Sequence, residues 1–540
     1  MVAGRRSGGR RADRGWTDDA ARAGFLGVRA TILPALLALG AAPVPADLLI
    51  RGAMVVTGSA APFTGDVAVR GERIVAVGPR LSMRATRTVD AEGLVLAPGF
   101  IDPHTHVEDQ LLGTDARARL LERFLMQGVT TAFIGNDGGG EADVRAVLAS
   151  AAARPVGINY ASYTGFGTIR RAVLGDADRA PTPAELAAMK ALAARAMCDG
   201  ALGLSSGLYY APQRFAKTAE VAAVAAEAGR RGGFYDTHLR DESSYSIGLD
   251  SAVEEALAIG RASGAAVHIA HIKALGADVE GRAPNVIARI EAARAKGQRV
   301  TADQYPWDAS GTSLVVALVP GWAQADGRAA MLARLSEARV KAEMQANLRR
   351  RGGAEKLLVT SGPIDVKGRT LAQIAAARRL DPVEAAIAVI TREDPAVASF
   401  NQSERDIRAF MARPWVMTGS DASTGHPRAF GSFARKYAVY VRERRVLDLA
   451  GFVTRSSTLA ADTFGLKDRG RIAPGAFADL VLFDPRSYAA RATYAEPERT
   501  AAGVRMVLVN GRVAVEESRL TGVAAGRALR RMPREGTCPA

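Results

Sequence analysis

The chain holds only two cysteines, Cys198 and Cys538, among 540 residues. They form no close pair, so neither a disulfide framework nor a cysteine-based zinc site is expected. No apolar run reaches the roughly 18 residues needed to cross a bilayer, so no membrane span is expected. No G-x-G-x-x-G follows the first apolar strand and no phosphate-binding P-loop occurs, which weakens a nucleotide fold. Histidine is scarce, at six residues. Aromatic residues are 6% of the chain and no Lys/Arg stripe is interleaved with them. The net charge of +15 therefore needs locating before it is read as a nucleic-acid footprint. Residues 1–46 carry seven Arg against three Asp, and residues 523–540 carry four Arg against one Glu. Nearly half the excess sits in the two ends, and no nucleic-acid partner is expected.

What is present is a soluble globular composition, 48% hydrophobic and 24% charged, long enough for one large domain and a satellite. "RATILPALLALGAAPVPA" has a basic start, a short apolar stretch and small residues before Asp47. It reads as a targeting segment over 1–46, with Val44 and Ala46 suited to the −3 and −1 positions of a signal-peptidase site. The Arg/Gly-rich residues ahead of it are unusual for a signal peptide, which suggests translation from Val28. A periplasmic or exported location follows, with a cytoplasmic one if the segment does not function.

Residues 47–98 alternate short β-rich runs with glycine, and the texture returns at 468–524 in "RIAPGAFADLVLFDP" and "VRMVLVNGRV". Both ends are thus expected to build one small β-sandwich. Between them, over 99–467, strand-like runs ("GVTTAFIG", "GALGLSS", "GGFYDTH", "AAVHIAHI", "QRVTADQY", "PWVMTGSD") alternate with Ala-rich helical stretches at 183–197, 218–231, 251–263 and 285–296. Six or more such units favour a closed (β/α)8 barrel over an open sheet. A helical stretch at 320–350 reads as an insertion over one barrel mouth, and 525–540 as a basic tail.

Five of the six histidines end or adjoin the strand-like runs. In "GFIDPHTHVED", His104 and His106 lie at i and i+2, so an extended backbone puts both imidazoles on one face. In "YDTHLRDE", His238 ends a strand and period two puts Arg240 on its face. In "VHIAHIK", His271 and Lys273 share a face with Ile269, and His268 points the other way. His271 is read as inward and functional, His268 as packed against helices. "VMTGSDAS" ends a late strand with Asp421, whose alternative role is a helix N-cap. Histidines and a carboxylate at strand C-termini suit Zn²⁺ or a similar divalent ion.

The ordered set H-x-H, "GALGLSSGLYYAP", "THLRDE", "HIAHIK", "DQYPW", "GSDAS", "HPRAFGSF" and "GRIAPGAFADLVLFDP" resembles the amidohydrolase superfamily. Within it, the chain is most similar to the N-acyl-D-amino-acid deacylases (D-aminoacylases), over about residues 47–515. The resemblance implies one metal site from His104, His106 and Asp421. It implies a tighter site from His238, His271 and a cysteine in a "GNCG" motif. Here "GNDGGG" falls on that motif, so Asp137 stands where the family has cysteine. Asp137 is expected to be a metal ligand rather than a turn carboxylate. Carboxylate is a harder donor than thiolate and has two oxygens, which suits a bridged pair of ions or a metal other than zinc.

The expected activity is hydrolysis of N-acyl-D-amino acids to a free D-amino acid and a carboxylic acid. An ion at the site acidifies a water and polarises the amide carbonyl. Asp421 takes that water's proton and returns it to the leaving amine. The resemblance places Lys273 and Tyr305 on the substrate carboxylate and Tyr210 near the reacting carbonyl. Arg240 is added from its shared face with His238. Lys273 has an alternative as a carbamylated bridge, and His426 has pocket and loop readings. The rival functions are hydrolysis of N-acyl-L-amino acids, dipeptides or a cyclic amide, and a non-catalytic binding barrel. Metal count and oligomeric state are left open.

Overall fold

The computed structural model describes residues 45–539. Residues 1–44 of the expected targeting segment lie outside the described residues. From Phe100 onward, strands and helices alternate as the sequence pattern predicts. The barrel strands are Phe100–Asp102, Val129–Ile134, Asn159–Ser162 continued by Thr164–Gly165, Gly203–Gly207, Phe234–His238, Ala266–Ile269, Val300–Gln304 and Val416–Thr418. Each pairs in parallel with the next. Just past the last strand, Asp421 N–H donates to His104 O (2.9 Å) and His106 N–H donates to Ala422 O (3.0 Å). Hydrogen bonding thus runs from the eighth strand back to the first, and the (β/α)8 barrel is joined around its circumference.

Side chains alternate across the strands as the pleat requires. Phe133, Phe234, Ala266 and Met417 pack inside the barrel with Phe464 beneath them. Ala132, Ile134, Tyr235, Val267 and Ile269 face the helices. One of those helices, Pro183–Cys198, begins with a capping box between Thr182 and Glu185 and has Pro183 at its first turn.

The second unit is built from both ends of the described chain. Five strands between Ala46 and Pro98 and four between Leu480 and Leu520 form one nine-stranded sheet. A bridge between Arg73 and Phe477 folds it over its own core of Ile50, Val67, Ile74, Leu480 and Leu508.

Two expectations change here. The insertion is larger than 320–350. Strands Ser310–Ser313, Leu357–Val359 and Ala396–Ser399 form a separate antiparallel sheet, and the helices between them share a core of their own. The strands are three or four residues long and pair with partners from 38 residues (Val359 with Val397) to 89 residues (Ser310 with Ser399) away, so no local period announces them.

The cysteines are the other change: Cys198 and Cys538 are disulfide-bonded, with Cα atoms 5.7 Å apart. Sequence spacing concealed the pair, since 340 residues separate them. The C-terminal tail is drawn across the barrel floor. Gly526 N–H donates to Val156 O (2.8 Å), Leu529 N–H to Tyr160 O (2.7 Å) and Arg531 N–H to Gly200 O (3.1 Å). Its arginines are structural: Arg530 Nη1 donates to Asp199 O and Arg531 Nη1 to Phe464 O. Thiol titration of the denatured, unreduced protein is expected to find no free thiol. Cys538→Ser is expected to lower the thermal midpoint, the direction set by releasing a closed loop worth about 2–4 kcal/mol. Two free thiols per chain in the unreduced wild type would refute the pairing.

Candidate active site

Asp137 lies inside the turn after the second barrel strand, with φ 55°. Its neighbours Gly135 and Gly138 have φ 80° and 76°. A Cβ at Gly135 would sit 2.7 Å from Tyr163 O, and one at Gly138 would collide with Gln213. Only glycine passes through so narrow a turn. Asn136 pins it, donating from Nδ2 to Pro103 O (3.1 Å) and Asp236 Oδ2 (3.3 Å). Gln213 Nε2 donates to Asp137 O (2.9 Å). Asp421 (φ 49°) and His271 (φ 34°) also occupy left-handed backbone. Such strain persists where the surroundings over-determine it, and here it gathers in three residues of one cluster.

The structure brings together His104, His106, Asp137, His238, His271 and Asp421. His104 Nε2 lies 3.3 Å from His106 Nε2, and His238 Nδ1 lies 2.9 Å from His271 Nε2. Asp137 stands between the two pairs. Its Oδ1 is 3.5 Å from His104 Nε2. Its Oδ2 is 3.4 Å from His106 Nε2 and 3.7 Å from both His238 Nδ1 and His271 Nε2. Asp421 Oδ1 completes the first pair at 3.3 Å from His106 and 3.7 Å from His104. Four donors at about 2.0–2.2 Å from a tetrahedral ion stand about 3.4 Å from one another. The donors here have that spacing. Asp137 Oδ1 is also buried with no hydrogen-bond partner. The residues fit two divalent ions sharing Asp137.

The charge state of the cluster agrees. Burial works against a charged imidazole at His106, yet Asp137 and Asp421 hold its pKa well above the ordinary value. His271 is pushed up to about 10 by Asp421, Glu242 and Asp137 against burial and Lys273. Burial opposes ionisation of Asp137, but His104 and His271 hold its carboxyl well below the usual range. The carboxylates make a field that retains positive charge.

Behind the donors stand residues the sequence reading did not single out. Glu242 lies 3.5 Å from His238 Nε2 and 3.3 Å from His271 Nδ1, orienting both rings. Asp303 Oδ2 lies 3.8 Å from His104 Nδ1 and accepts from His268 Nε2 at 3.1 Å. Arg428 Nη1 lies 2.6 Å from Asp421 Oδ2. All three occur in stretches with visible motifs, but a carboxylate or arginine without a partner in view carries no signal in sequence.

Lys273 Nζ is 2.7 Å from Glu242 Oε1 and 2.6 Å from His271 Nδ1, and lines the cavity. Tyr210 Oη is 3.3 Å from His238 Nδ1. Tyr305 Oη accepts from Gln402 Nε2 at 3.1 Å, leaving its own proton to donate. His426 lines the cavity, with Nε2 donating to Ala309 O and Nδ1 accepting from Arg428 N–H.

Two placements are corrected. Arg240 does not join the cluster: its guanidinium pairs with Glu255 (2.8 Å and 2.9 Å) and donates to Arg214 O and Ala216 O. The strand ends at His238, so period two does not carry two residues further. His268 is buried with Asp303 and Thr301 and contacts Phe464 in the barrel interior, while Ile269 faces the helices. That is the reverse of the expected facing. His271 reaches the cluster through its left-handed backbone beyond the strand end, not by alternation.

The cavity over the cluster measures about 540 Å³ and is walled on one side by the insertion, through Ser310–Ser313, Arg351, Ser361 and Val397. That volume suits one small molecule.

The sequence of residues 87–515 matches the amidohydrolase family. A D-aminoacylase from Alcaligenes xylosoxydans xylosoxydans is 35% identical over 520 residues, covering 90% of this chain and 98% of that protein. An N-acyl-D-aspartate deacylase from the same organism is also 35% identical, covering 90% and 96%. Among solved structures, the N-acyl-D-glutamate deacylase of Bordetella bronchiseptica, complexed with zinc and a phosphonate mimic of the tetrahedral intermediate, has a TM-score of 0.78. It is 32% identical, covering 90% of this chain and 100% of that one. A D-aminoacylase studied for its binuclear metal centre has a TM-score of 0.77 at 34% identity, with the same coverage.

Asp137→Ala is expected to lose bound divalent metal, measured by elemental analysis, and activity with it. The loss in affinity should exceed the roughly tenfold cost of removing an outer hydrogen-bond partner. Full metal retention would return Asp137 to a turn role.

Proposed function

As the chain belongs to the amidohydrolase family, we propose that it is a metal-dependent hydrolase releasing free D-amino acids from N-acyl-D-amino acids. One observation carries this most directly: the His/Asp cluster lies in the same cavity as Lys273, Tyr305 and Arg428, a ready anion site. Cleavable amide and free carboxylate are thus each met by matching chemistry.

A bound zinc or similar ion supplies Lewis acidity and acidifies water. His104, His106 and Asp421 would hold one such ion and His238 and His271 another, with Asp137 common to both. Burial favours a protonated Asp421, but Arg428 and His271 keep its carboxyl well below the usual range, so it is an ionised proton acceptor. It takes the proton of the attacking water and returns it to the leaving nitrogen. Tyr210, kept protonated by burial and by the nearby Asp137 carboxylate, is a donor for the amide carbonyl oxygen. Lys273 and Arg428 flank the Tyr305 ring at 5.8 Å and 5.0 Å, a grip for the α-carboxylate.

We also propose an exported or periplasmic location. The N-terminal apolar segment and the Cys198–Cys538 pair support it, because disulfides are rare in reducing compartments.

Amine release from N-acetyl-D-amino acids and their L mirror images, with zinc added, is expected only in the D series. Turnover of the L series alone would overturn the substrate reading. Asp421→Asn is expected to lower kcat by about 10²–10⁴-fold, with an unchanged circular dichroism spectrum. N-terminal sequencing of protein from an exporting host is expected to begin at Asp47; a start within residues 1–27 would contradict processing there.

A further inference from the structure

Three cations line the cavity: Lys273, Arg351 and Arg428. Two already face a carboxylate. Lys273 has Glu242 at 2.7 Å, and Arg428 has Asp421 at 2.6 Å. Arg351 does not. Its side chain comes from the end of helix Ala338–Arg350 in the insertion, and the residue is only 3% exposed. Nε donates to Ala317 O (2.8 Å) and Nη1 to Ser399 Oγ (3.0 Å). Its guanidinium carbon stands 5.5 Å from the Tyr245 ring centroid. Among the described residues, no carboxylate pairs with it.

A buried guanidinium without a counter-charge is costly, and neutral acceptors recover only part of the lost hydration. Asp394, which lines the same cavity, does not serve it: its Oδ1 accepts from Val315 N–H at 2.8 Å. Arg351 neighbours the Tyr245 ring, whereas Lys273 and Arg428 flank the Tyr305 ring. Tyr245 sits 5.7 Å from Tyr209, which stacks on His238 at 5.9 Å. Arg428 belongs to the Asp421 and Tyr305 side.

We propose that Arg351 is a specificity-determining residue that receives a second carboxylate of the substrate, so that the preferred substrates are dianions. The proposal rests on the N-acyl-D-amino-acid reading and deepens it. The second carboxylate comes either from an acidic amino-acid side chain or from a dicarboxylic acyl group. Arg351 pairs with it through a charge-assisted hydrogen bond and stacks on Tyr245 while doing so.

Two matched pairs test this in the zinc-loaded wild type. N-acetyl-D-glutamate is set against N-acetyl-D-glutamine for the side-chain source. N-succinyl-D-leucine is set against N-butyryl-D-leucine for the acyl source. In one pair the dianion is expected to win by about tenfold or more in kcat/KM, the range for a charged hydrogen bond. Arg351→Gln should abolish that advantage while leaving the monoanions within about threefold. Arg351→Lys should keep part of it. No preference in either wild-type pair would overturn the proposal, whether or not the variants fold. An equal loss on all four substrates in a folded Arg351→Gln would also overturn it, making Arg351 structural or part of the α-carboxylate grip. If the wild type cleaves neither monoanions nor dianions of the D series, the underlying substrate reading fails instead.

Discussion

Asp137 carries a carboxylate to the barrel mouth where four imidazole nitrogens stand within 3.7 Å of it. Its own side chain keeps only 11% of its exposure. A buried charge of this kind survives only if it is surrounded by groups able to share opposite charge. The local architecture answers that need in sequence. Glycines let the turn pass beneath Tyr163 and Gln213, and Asn136 pins it to the neighbouring strand. Histidines from the first, fifth and sixth strand ends face it. The Asp137 carboxylate has two oxygens to divide between the two donor sets, where a single sulfur donor would offer one atom.

Charge balance then propagates outward. Each pair of imidazoles has a carboxylate at its back: Glu242 behind His238 and His271, Asp303 behind His104. Those carboxylates and Asp421 call up cations in turn, Lys273 on Glu242 and Arg428 on Asp421. The two cations end beside Tyr305, where a substrate carboxylate would lie. Under the proposed function, substrate recognition and metal retention share one electrostatic network, in which a change at one end alters the other.

Much of this was readable before any coordinates. The alternation of strands and helices, the strand-end positions of His104, His106 and His238, and the family likeness of "GNDGGG" all depend on local pattern. What escaped depends on contacts across the fold. Period two failed at His271 and Arg240 because both lie past the last extended residue, where alternation has no force. Glu242 and Arg428 stood in quoted motifs, yet their partners come from other strands. The insertion's strands pair with segments far along the chain, and the Cys198–Cys538 pair spans 340 residues. Arg351 shows the point well: in sequence it closes a run of arginines on an amphipathic helix, and only packing reveals that it is buried.

The tail across the barrel floor bears on the order in which the molecule can be made. The strand Val95–Pro98 takes its outer partner from Leu480–Phe483, and the floor is completed by residues 526–538. A nascent chain emerging from the ribosome holds most of the barrel long before it holds these closing pieces. The five N-terminal strands pair among themselves, but the nine-stranded sheet and the barrel floor are completed only once residues 480–538 have been made. Completion of the fold thereby waits on segments far along the chain, which must find their partners while apolar surface is still exposed.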